Sequence, residues 1–206
     1  MIDIIHQLKA IHREVARRPA GDAEVVSVLV RREYDAALDD VWDAVTDPVR
    51  VKRWFMPLSG DLRAGGTFQL EGNAGGEILE CHPPHRLRVT FGGPESLVEL
   101  RLTAQGDEQT ALELEHTVPL AMAGSGAGAL FVGPGWDGAF LALALYVAGE
   151  VADDPVAAAS SPEAIDFSRQ SVQAWVDAIE SSGTASAEEI AGAAEMSLAQ
   201  FAPAQE

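Results

Sequence analysis

Ile4, Leu8, Ile11 and Val15 recur at intervals of three and four, and this spacing predicts an amphipathic helix over residues 2–17 with a single apolar stripe. Pro19, Ala20, Gly21 and Asp22 interrupt it. From Glu24 the period falls to two: Val26, Val28 and Val30 share one face and Ser27, Arg31 and Glu33 the other, the pattern of a first strand. Asp39 stands where it can cap a short helix running to Thr46. Asp47 followed by Pro48 opens a second, because Asp accepts orphan amide hydrogens and proline is tolerated at the first helical position.

Short alternating segments follow at 67–71, 77–81, 86–91, 97–103 and 110–117, separated by Gly72 to Gly76, Pro83-Pro84, Gly92-Gly93-Pro94 and Gln105 to Asp107. Turn-forming residues between alternating segments predict an antiparallel meander. Residues 118–134 read as a loop of small residues ending in Gly133-Pro134-Gly135. Trp136, Phe140, Leu143 and Val147 then recur along a helix apolar on nearly all sides, which needs cover on more than one face. Beyond Gly149, Ser161-Pro162-Glu163 starts one helix with Ile165, Val172, Trp175, Val176 and Ile179 as its stripe. Ser186 to Glu189 has the capping-box pattern of another. The organisation expected is an N-terminal helical extension (1–22), a sheet-and-helix domain (23–150) and an acidic, alanine-rich helical extension (151–206).

With 47% apolar residues in 206, the chain can bury one substantial core. Its 14 Lys and Arg stand against 32 Asp and Glu, a net charge of −18 that repels phosphate backbones and anionic lipid, so neither nucleic acid nor membrane is expected as a partner. Residues 151–206 carry ten acids against Arg169 and read as a solvated or interaction-bearing addition rather than core. Cys81 is alone, which suits a half-buried free thiol in a reducing compartment, and the charged N-terminus lacks a secretory pattern; a cytoplasmic location is the expectation.

A strand, two short helices, a many-stranded sheet and a long helix give the helix-grip order, an α+β class. Within it the chain resembles the family named after the C-terminal domain of the activator of the ninety-kilodalton heat-shock-protein ATPase, part of the START-like superfamily. Carrying the resemblance over residues 24–150 are Val41 to Ala44, Thr46 to Pro48, Trp54-Phe55, Gly60 to Arg63 with Gly65-Gly66, Pro83-Pro84, Leu112 to His116 and Gly133 to Asp137. The resemblance implies a curved antiparallel sheet wrapped around the long helix, with a cavity between them suited to an apolar or aromatic molecule. Fold alone does not give function.

Trp54, Phe55, Phe68, Phe91, Trp136 and Phe140 are the aromatic candidates for such a site; as core alone they would need no ligand. His116, sharing a strand face with Leu112 and Leu114, is the polar candidate. Glu99 and Arg101 alternate away from the apolar positions and should face solvent. Asp137 reads as a helix cap or dipole partner, and Asp47 as a cap rather than one of a carboxylate pair with Asp43. His82 and His85 flank two prolines without an accompanying ligand set, so no metal is expected; no cofactor or catalytic set is expected either. Three readings stand: a non-catalytic binder of an apolar or aromatic small molecule, a cyclase- or aromatase-like enzyme, and a co-chaperone-like interaction module. A homodimer through the terminal helices remains open.

Overall fold

The N-terminal stripe divides between two kinds of element. In the computed structural model, which describes residues 2–203, α1 (Ile4–Lys9) is capped by Asp3, whose carboxylate accepts the His6 amide at 3.0 Å. It ends at Ala10, and the chain continues as β1 (His12–Ala20). The expected single helix over 2–17 is thus incorrect beyond Lys9. An interval of four keeps Ile11 and Val15 on one face in either conformation, and both are β-branched, which favours the strand. Strand parity adds Arg13 to their buried face, where a helix would have turned it away. Met1 and residues 204–206, the outer ends of the two extensions, lie outside the described residues.

Gly21, at φ 62°, and Asp22 turn the chain into β2 (Ala23–Tyr34). Then come α2 (Leu38–Thr46) and α3 (Pro48–Val51). Asp39 lies inside the first turn of α2, whose cap position is Ala37, so its expected capping role is not fulfilled. Six strands follow: β3 (Leu58–Gly60), β4 (Thr67–Leu70), β5 (Gly75–His82), β6 (Arg86–Thr90), β7 (Leu97–Gly106) and β8 (Gln109–Pro119). The eight strands form one antiparallel sheet in the order β1-β2-β8-β7-β6-β5-β4-β3. The segment expected as a loop holds a short helix, α4 (Leu120–Ala123), and a 3₁₀ helix, Gly126–Phe131. Beyond it lie α5 (Gly133–Val147), α6 (Pro155–Ala158), α7 (Pro162–Ser182) and α8 (Ala187–Phe201). The class is the helix-grip α+β fold that the element order predicts.

The chain groups into two compact units, each assembled from separated stretches. The first comprises residues 1–30, 117–140 and 159–206. Its core contains Ile11, Val15, Leu130, Phe167, Trp175, Ile179 and Ile190. The acidic tail is therefore not merely a solvated addition. Trp175 and Phe167 are buried completely or nearly so, and removing such side chains from water contributes about 1.5–3 kcal/mol each. Charge density misled here because the acids occupy the outer faces of α7 and α8 while an apolar stripe faces inward. Ser161 caps α7, and the Ser186–Glu189 capping box of α8 is formed.

The second unit comprises residues 31–116 and 141–158. Here β6 and β7 pair Leu87 with Leu100 and Val89 with Val98 on one face, and Arg86 with Arg101 and Arg88 with Glu99 on the other. Like charges directly opposite repel. The Glu99 carboxylate resolves the Arg86–Arg101 conflict, accepting Arg86 Nε at 2.9 Å and Arg101 Nε at 2.7 Å. Glu80 accepts Arg86 Nη1 at 2.8 Å and Glu115 accepts Arg101 Nη2 at 3.1 Å. The ladder leaves the opposite face of these strands to apolar side chains.

Candidate ligand-binding site

The aromatic residues of the second unit are held by backbone geometry. Asp47 caps α3 by accepting the Val49 amide at 2.6 Å and, at 3.4 Å, that of Arg50. The turn after α3 delivers Trp54 and Phe55. The Trp54 indole donates to the Ala44 carbonyl at 2.9 Å, and the two rings stack at 5.3 Å between centroids. Phe68 of β4 stacks on Phe91 at 6.3 Å, and Phe91 meets the His116 ring edge-on at 5.8 Å. All four aromatics are half-buried.

His116 ends this row. Its Nε2 lies 2.8 Å from Ser96 Oγ, and both residues are buried, His116 at 4% exposure. Burial pushes the imidazole down to about 4, so it is neutral at pH 7. Ser96 follows the turn at Gly93, and the Phe91 amide donates to its carbonyl at 2.8 Å, closing the β6–β7 hairpin. Sequence reading passed over Ser96. The alternation Val98, Leu100, Leu102, extended back by one pair, places it on the apolar face.

That face is incompletely covered. Register sets Cys81 opposite Leu87 and Leu87 opposite Leu100, and all three remain half-exposed although they point away from the charged ladder. Burial raises the Cys81 thiol, which keeps it protonated at neutral pH. His82 is exposed, 3.7 Å from Glu80, while the His85 ring lies 3.3 Å from the Leu102 carbonyl. Among the described residues no group of three or more His, Cys, Asp or Glu is arranged to hold a metal. Asp43 is exposed.

Trp136, half-buried, and Phe140, buried, belong to the first unit. So does Asp137, whose expected capping role is incorrect. It is the fifth residue of α5 and completely buried. Its Oδ2 accepts Arg13 Nε at 2.8 Å, Trp175 Nε1 at 3.1 Å and the Ser171 hydroxyl. Burial pushes this carboxyl up, with Arg13 the main opposing pull. Sealed from solvent, the group ties β1, α5 and α7 together and is not placed to touch a substrate.

The profile of the family described as Activator of Hsp90 ATPase homolog 1-like protein matches residues 35–148. CalU16 from Micromonospora echinospora, in its crystal structure, is 40% identical over 82% of this chain and 98% of its own, with a TM-score of 0.68. DynU16, from the dynemicin biosynthetic locus, is 32% identical over 59% of this chain and 47% of its own, at 0.52. PFC0360w, an HSP90 activator from Plasmodium falciparum, shares the fold at 24% identity over 60% of this chain and 96% of its own, at 0.51. No curated protein matches.

Proposed function

The chain belongs to the family of activator of Hsp90 ATPase homolog 1-like proteins, START-like in fold, and from that premise we propose that it binds an apolar or aromatic small molecule without transforming it. The guest lies against Trp54, Phe55, Phe68 and Phe91, with the His116–Ser96 pair supplying its polar contact. One observation carries this reading: a row of half-buried aromatic rings, Phe68 on Phe91, runs up to a buried and uncharged imidazole on the apolar side of a sheet whose other side carries the ion pairs. Apolar walls with a few convergent polar groups are the usual lining of small-molecule sites. The biosynthetic-locus origin of DynU16 is consistent with a small-molecule guest.

An uncharged fluorescent probe, N-phenyl-1-naphthylamine, tests the reading by titration. The wild-type chain takes up the probe saturably, and Phe91→Ala and Trp54→Ala each weaken it about tenfold, the loss expected of one large aromatic contact. Equal affinity in both variants rejects the assignment.

One observation favours the enzyme reading: Ser96 stands within hydrogen-bond distance of His116. An imidazole held near 4 is a weak general base at neutral pH, which is why binding is preferred.

A further inference from the structure

Arg50, Lys52 and Arg53 bring three cations into four residues of a chain whose net charge is −18. They are not equivalent. Arg50 Nη1 pairs with the Asp40 carboxylate at 2.6 Å, and its Nε donates to the Tyr146 hydroxyl at 3.1 Å. Arg53 instead lies over the Tyr146 ring, 5.7 Å from its centroid, with Arg50 at 5.5 Å from the same ring. Among the described residues neither Lys52 nor Arg53 has a carboxylate within ion-pair distance. With 32 acids in the chain, two adjacent exposed cations left without one are an unbalanced positive charge.

The Tyr146 contacts organise this charge. Contact with the ring restrains the guanidinium of the exposed Arg53. The Tyr146 oxygen accepts from Arg50, which leaves its own proton to be donated. In sequence an ammonium and a guanidinium, Lys52 and Arg53, directly precede the stacked Trp54–Phe55 pair, and the Tyr146 hydroxyl is a further donor on the ring that Arg53 covers. Donors of this kind suit a planar oxyanion, and the adjoining rings suit an aromatic body.

We propose that Lys52, Arg53 and the Tyr146 hydroxyl form an anion-recognising site at the edge of the Trp54–Phe55 pair, so that the guest is an aromatic compound bearing a carboxylate or a similar oxyanion. The assignment rests on the reading of Trp54 and Phe55 as ligand contacts. It adds to that reading the charge of the ligand.

Paired titrations separate the two. The full-length chain is titrated with the anionic probe 8-anilinonaphthalene-1-sulfonate and with uncharged N-phenyl-1-naphthylamine, as wild type, Arg53→Gln and Arg53→Lys. The ratio of the two affinities cancels differences in the amount of folded protein. Arg53→Gln should lower the ratio of anionic to neutral affinity about tenfold, the loss of one charge-assisted hydrogen bond, and Arg53→Lys should recover part of it. Should wild type bind both probes and the ratio stay the same in Arg53→Gln, the anion site is overturned while ligand binding stands. If wild type takes up neither probe, the ligand-binding reading fails and the anion site with it.

Discussion

His116 and Asp137 are both buried and polar, and the chain treats them differently. His116 has a neutral partner and is kept uncharged: its folded value of about 4 lies below the ordinary 6.5. Between those values the unfolded chain binds a proton that the folded chain refuses. The contribution of His116 is complete above about pH 6.5 and declines as pH falls toward about 4. Proton NMR of the imidazole should show a midpoint near 4 in the folded chain; a midpoint above 6 contradicts its burial beside Phe91 and Ser96. Asp137 instead has Arg13, Ser171 and Trp175 directed at one oxygen. Asp137→Ala leaves the Arg13 guanidinium buried without its carboxylate and should cost about 3–5 kcal/mol in urea unfolding. A cost below about 1 kcal/mol contradicts the role given to this cluster. The sequence displays Asp137 but not its partners, which lie 124, 34 and 38 residues away along the chain.

At the scale of elements, periodicity located the strands of the meander and the capped helices because each carries its own turn or cap chemistry. It failed at β1, where an interval of four satisfied both periods, and at β3, a strand of three residues too short to show alternation. The two glycines before Trp136 illustrate a different gap. Gly133 opens α5 against the face of Trp175, and a methyl group there would stand 2.4 Å from the indole Cε2. In an exposed helix, glycine to alanine stabilises by about 1 kcal/mol. Here the close approach reverses the sign: Gly133→Ala should destabilise by about 1–3 kcal/mol, seen as a lower melting temperature. An unchanged or higher melting temperature would show that α7 does not pack against this point. The glycines were legible as landmarks; the tryptophan they accommodate, in a segment whose acidity suggested solvent, was not.

For the whole molecule, the helix-grip order was readable because it depends only on the sequence of elements, and the family landmarks reinforced it. Among the described residues no helix is long and apolar enough to cross a membrane. The candidate site was half legible. Trp54, Phe55, Phe68, Phe91 and His116 announce themselves as large or titratable side chains in strands and turns, whereas Ser96 and the Arg53–Tyr146 stack depend on contacts that chain order does not display. Whether an apolar guest lies along the Phe68–Phe91–His116 row is decided by NMR of the aromatic side chains during saturation with N-phenyl-1-naphthylamine. With the guest seated there, the Phe68, Phe91 and His116 ring resonances should move together along one saturable curve. Saturable binding that leaves all three in place would contradict it.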